Sequence, residues 1–91
     1  MGKVEIAKGE MLHRRYDRVN TVEFILKGGI LVKGTDDIVI PAAQGTLLGA
    51  CYQPGEQYYH DYVAAEDSTI MVYDYTCEAD IIAAMKSTPS I

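Results

Sequence analysis

Short apolar runs separated by polar, glycine-containing breaks make up most of the chain. Val4-Glu5-Ile6-Ala7 alternates in period two and predicts a strand stopped at Lys8-Gly9. Met11 to Tyr16 is a second candidate strand, although Arg14-Arg15 interrupts its period, and Asp17 to Asn20 is a polar turn. Thr21-Val22-Glu23-Phe24-Ile25-Leu26 is rich in β-branched and aromatic residues and predicts a strand. Lys27-Gly28-Gly29 is a hairpin signal before Ile30-Leu31-Val32. The turn Gly34-Thr35-Asp36-Asp37 leads to Ile38-Val39-Ile40, a strand predicted to end at Pro41. Gln44-Gly45 turns into Thr46-Leu47-Leu48, which Gly49 closes. Tyr62 to Ala64 and Thr69 to Tyr75 are the last strands, separated by Glu66-Asp67-Ser68.

The tail changes period. Glu78 to Lys86 is rich in helix formers, with Ile81, Ile82 and Met85 predicted on one apolar face. Thr76 is the expected N-cap, acids fall near the helix start, Lys86 falls near its end, and Pro89 stops it. Many short strands followed by one helix predict a mainly β fold: a jelly roll, or double-stranded β-helix, with a short C-terminal helix.

Size and charge narrow the function. Ninety-one residues make a single domain, able to bury roughly 60 to 65% of its unfolded surface. The net charge of -5 is unevenly spread. Residues 1–33 hold seven bases and four acids; residues 34–85 hold nine acids and no Lys or Arg. That distribution disfavours nucleic-acid contact, which needs a basic surface; the Arg14–Arg18 cluster reads as a solvated turn. No apolar run approaches membrane-spanning length. Cys51 and Cys77 have no metal-ligand spacing, so the expectation is reduced thiols in a cytoplasmic protein, with Cys51 buried and structural. Nothing resembles a nucleophile–base ordering or a phosphate-cradling Gly loop with Lys, so an enzyme is not expected and no cofactor is predicted.

The stretch GACYQPGEQYYHDYVA, from Gly49 to Ala64, concentrates the candidate chemistry: four tyrosines, one histidine, two acids and no base. Its tyrosines are able to stack a planar ligand, to fill a pocket themselves, or to face a partner.

In order and spacing the chain resembles the cyclic-nucleotide-binding domain of catabolite-activator-type regulators. The resemblance rests on Gly9-Glu10, Ile25-Leu26-Lys27-Gly28, the pair Gly45 and Gly49 around a short strand, and Ala64-Ala65-Glu66-Asp67-Ser68 before an apolar strand. It implies a β-roll whose turns use Gly28, Gly45 and Gly49, and a ligand loop containing a short helix. It also places the Tyr-rich stretch at the family's phosphate-binding cassette. There Ala50 stands in place of the ribose-binding Glu, Tyr58 in place of the phosphate-binding Arg, and Tyr59 in place of the following Ser or Thr. Both charged contacts are missing, and His60 is the only basic candidate nearby.

The resulting expectation is a regulatory or sensory module of a bacterial signalling or transcription regulator with a degenerate cassette. It is not expected to hold cAMP or cGMP in the usual way. The candidate ligand-binding residues are Gly49, Ala50, Cys51, Tyr58, Tyr59 and His60. One alternative is a binder of a non-standard planar ligand through the tyrosines; a second is a cupin-like metal protein, disfavoured by having only two histidines. The resemblance further implies a piece of a longer regulator lacking the lid helix, partnered by its own effector domain, with homodimerisation possible.

Overall fold

In the computed structural model, which describes residues 2–88, two four-stranded antiparallel sheets enclose the core. The strands are β1 (Gly2–Ile6), β2 (Met11–His13), β3 (Thr21–Lys27), β4 (Gly29–Lys33), β5 (Val39–Ala43), β6 (Leu47–Leu48), β7 (Asp61–Ala64) and β8 (Ser68–Asp74), followed by helix α1 (Glu78–Ser87). The sheet orders are β1-β8-β3-β6 and β2-β7-β4-β5. Outer strands pair with outer and inner with inner: β1 with β8, β2 with β7, β3 with β6, β4 with β5. The chain is therefore one long ribbon doubled on itself. Rolling the ribbon adds the β3–β8 and β4–β7 pairings that close each sheet. This is the jelly roll expected from the sequence.

Strand alternation supplies the core. Val19, Val22, Ile25, Ile30, Ile70 and Tyr58 are fully buried, with Tyr52, Tyr62, Tyr73 and Tyr75 packed among them. The β3–β4 turn depends on Gly28, whose φ is +93°. A Cβ there would lie 2.2 Å from Ser68 Oγ and 2.8 Å from the Asp67 carbonyl oxygen, so only glycine fits.

Four local expectations need correction. Pro41 does not end its strand: β5 runs on to Ala43. Only β4 pairs with β5, and an edge strand tolerates a residue without an N–H. The second strand stops at His13 rather than Tyr16, because Arg14 to Asp17 turns, with Asp17 N–H donating to the Arg14 carbonyl at 3.1 Å and Tyr16 at positive φ. Helix α1 takes Cys77, not Thr76, as its N-cap. The Asp80 carboxylate accepts from Thr76 N–H at 2.7 Å, Thr76 Oγ1 at 2.8 Å and Cys77 N–H at 3.3 Å, which holds its pKa below the usual value. The buried helix face carries Ala84 and the half-buried Ile81, while Ile82 and Met85 are exposed. The predicted stop at Pro89 lies outside the described residues.

Candidate functional site

A trough of about 520 Å³ opens at the end of the roll beneath the first half of the Tyr-rich loop. Its floor and walls come from Val32 on β4, Ile40 to Ala42 on β5, Leu47 and Leu48 on β6 with Thr46 just before it, and Tyr62 on β7. Gly49, Ala50, Cys51 and His60 complete the rim. Four of the six predicted site residues thus converge on one cavity. Its size falls in the range of small-molecule sites, about 300 to 1,000 Å³.

Each wall residue gets there for a local reason. Gly49 turns the chain off β6 at φ +94°, with Thr21 backbone oxygen 3.3 Å from where a Cβ would sit. Val32 and Tyr62 face each other across the β4–β7 ladder and point inward together. The next register pair, Lys33 and Asp61, points to the opposite face by strand alternation. No Lys or Arg lines the trough.

The loop itself is two successive turns, not a helix. Tyr52 N–H donates to the Gly49 carbonyl at 3.1 Å, and Glu56 N–H to the Gln53 carbonyl at 3.1 Å. The short helix implied by the resemblance is absent from this segment, because the Pro54-Gly55 turn interrupts it. Beyond Pro54 the loop is laddered onto residues 16–19. Val19 N–H donates to the Glu56 carbonyl at 2.7 Å, Tyr58 N–H to the Asp17 carbonyl at 2.9 Å, and Tyr16 N–H to the Tyr58 carbonyl at 2.8 Å. The Arg14–Arg18 cluster is partly consumed by this ladder. Arg15 N–H donates to Asp61 Oδ1 at 2.8 Å, and Arg18 Nη1 donates to the Gly55 carbonyl at 2.9 Å.

That ladder sorts the tyrosines. Tyr58 is fully buried, with its ring stacked on His13, so it packs the core and does not line the trough. Burial first, and the Glu23 charge second, raise its pKa well above the ordinary phenol value. Its neighbour Tyr59 points outward, 60% exposed, and donates to Glu56 Oε2 at 3.0 Å. Tyr62, its pKa likewise raised chiefly by burial, is the one loop tyrosine whose side chain meets the trough. Cys51 is exposed at the rim, a correction to the expectation of a buried structural thiol, and both cysteines are free.

His60 is held by a defined relay. Tyr52 Oη accepts from Tyr59 N–H at 2.9 Å and lies 3.1 Å from His60 Nδ1.

One buried polar group escaped the sequence reading. Glu23, 1% exposed, accepts from Thr21 Oγ1 and lies 2.9 Å from His13 Nε2. The two atoms face each other as a close buried pair without an aligned hydrogen bond between them. An acid at an inward position of the apolar run Thr21 to Leu26 was the available signal. Among the described residues, no three His, Cys, Asp or Glu side chains come together to hold a metal, and no helix is long and apolar enough to cross a membrane.

Comparison with known proteins bears on the fold. No protein-family model and no curated protein sequence matches. Solved structures do. The sensor domain of the transcriptional regulator DNR from Pseudomonas aeruginosa superposes with a TM-score of 0.76 at 9% identity, over 97% of this chain and 64% of that one. A transcriptional regulator from Thermotoga maritima gives 0.70 at 16% identity, over 94% and 70%. The EAL enzyme Bd1971 in a half-site-occupied form gives 0.69 at 17% identity, over 98% and 82%; Bd1971 is also known in a cAMP-bound form. At these identities the likeness is one of fold. The chain shares its β-roll fold with these proteins.

Proposed function

We propose that the chain is a regulatory, ligand-sensing domain of the cyclic-nucleotide-binding type whose cassette no longer holds a cyclic nucleotide by charge. It acts by binding rather than by catalysis, and it passes its signal to a linked effector domain. The fold shared with regulator sensor domains supports the sensory part. The observation that carries the ligand part is the trough, apolar and without a Lys or Arg, with Tyr58 turned away from it into the core. A cyclic phosphate placed there would lose its hydration and meet no full positive charge. The Gly49–Tyr62 loop is the responsive element in this reading, since it forms the rim and joins it to His13 through Tyr58.

Stacking of a planar ligand between several tyrosines is less favoured, because only Tyr62 reaches the trough. Substituting Tyr58→Arg to restore a nucleotide site is correspondingly uninformative, since it would bury a guanidinium in the core.

Thermal unfolding with cAMP, cGMP and neutral metabolites tests the reading. A ligand at 100 times its dissociation constant adds about 2.7 kcal/mol, a shift of several degrees for a domain this small. The expected result is no shift with either cyclic nucleotide. A saturable shift with cAMP or cGMP would overturn it.

A further inference from the structure

The trough has a polar end that neither the fold nor the Tyr-rich loop accounts for. A second cavity of about 150 Å³ shares Val32, Ile40 and His60 with it and adds Gly34, Asp36 and Ile38. The two meet at His60. Gly34 makes the space between them: a Cβ there would lie 2.9 Å from Asp36 Oδ1 and 3.5 and 3.8 Å from His60 Cδ2 and Nε2. A carboxylate and an imidazole edge therefore converge at one end of an apolar trough. The Tyr52 relay fixes Nδ1 of that imidazole and leaves Nε2 on the side of Gly34.

The charge of the walls selects among ligands. The stretch from residue 34 to residue 85, which supplies every wall except Val32, carries nine acids and no Lys or Arg. Strand alternation turns Lys33 away. An anionic head group entering this end meets Asp36 and finds no Lys or Arg; a cationic one finds a carboxylate acceptor. The apolar walls call for an apolar body.

We propose that this cavity takes a small amphipathic amine, its apolar body between β4, β5 and β6 and its ammonium head beside Asp36 and His60. The proposal rests on the sensory reading above and gives that site a ligand class.

The test is a titration of the isotope-labelled 91-residue chain by NMR with three matched probes: phenethylamine, phenylacetamide and phenylacetate. At millimolar concentration, phenethylamine is expected to shift the resonances of Val32, Ala42, Leu48, Gly34 and His60. It should bind roughly tenfold more tightly than phenylacetate, with phenylacetamide between them. Asp36→Asn should erase the preference for the amine while leaving the apolar contacts. Gly34→Ala, at a backbone conformation that alanine adopts freely, should weaken all three by filling the head-group space. Phenylacetate binding as tightly as the amine, shifts confined to other surfaces, or no shift with any probe would each overturn the proposal alone. Running cAMP alongside separates it from the reading it rests on: cAMP seated in the trough would overturn both.

Discussion

The imidazole of His13 lies flat against the ring of Tyr58, centroids 4.3 Å apart and planes 18° from parallel. His13 ends β2, whereas Tyr58 belongs to the loop that rims the trough. The contact commits Tyr58 to the core. The loop is thereby docked through a buried aromatic side chain as well as through its backbone ladder to residues 16–19.

Stability should therefore depend on the ring of Tyr58 and not on its hydroxyl. Tyr58→Ala removes a fully buried aromatic and is expected to cost about 3 to 5 kcal/mol in urea unfolding. The hydroxyl is buried without a hydrogen-bond partner, so Tyr58→Phe should change stability by less than about 1 kcal/mol, or raise it. A phenylalanine variant as unstable as the alanine one would show that the hydroxyl is the anchor.

Glu23 and His13 should behave as a unit. Glu23 is almost wholly buried; Thr21 donates to its Oε2, and His13 Nε2 is the cationic-capable group that faces its Oε1 at 2.9 Å. Removing one partner leaves the other uncompensated, so His13→Ala or Glu23→Ala is expected to cost about 3 to 5 kcal/mol. In a double-mutant cycle the pair substituted together should cost clearly less than the sum of the two singles. Additive losses would show that the two side chains do not depend on one another.

This pair also marks where the sequence ceases to be legible. Strands, turns and fold class follow from local alternation and from glycine positions, because those patterns are set by neighbours along the chain. His13 and Glu23 lie on strands of different sheets, and only the rolling of the ribbon brings them together. The Tyr-rich loop shows the same limit. Tyr58 and Tyr59 are adjacent and chemically alike, and which one turns inward is set by the register of the ladder with residues 16–19, a long-range choice. The readings at Pro41 and Thr76 failed for a related reason: an edge strand forgives a proline, and Asp80 caps the helix from inside it, so the residue types at the boundaries carried little information.

Gly28 and Gly9 separate backbone strain from steric conflict. Both have positive φ, +93° and +89°. Around Gly9 a Cβ would meet nothing within 4 Å, whereas at Gly28 it would strike Ser68 and Asp67. Gly9→Ala is expected to cost about 1 to 2 kcal/mol from the left-handed conformation alone. Gly28→Ala should cost clearly more, since Ser68 Oγ also hydrogen-bonds Gly29 N–H at 3.1 Å and must shift with the clash. Chemical denaturation of the two variants decides it; equal losses would mean that the β3–β4 turn yields to make room.

The buried tyrosines predict how stability responds to alkali. Burial, the larger cause for both, raises the pKa of Tyr58 and Tyr62 above the ordinary value of 10.0. The folded state thus holds these protons more tightly than the unfolded state does. Their contribution is fully present below about pH 10 and is lost as pH rises from there toward the higher folded values. The urea midpoint should be insensitive to these two groups at neutral pH and fall steeply above about pH 10. Tyr58→Phe with Tyr62→Phe removes both ionisations, so the double variant should lose less of its midpoint over the same alkaline range than the wild type. Parallel profiles for the two proteins would place the alkaline transition on other groups and would mean that neither phenol is as shielded as its position in the core requires.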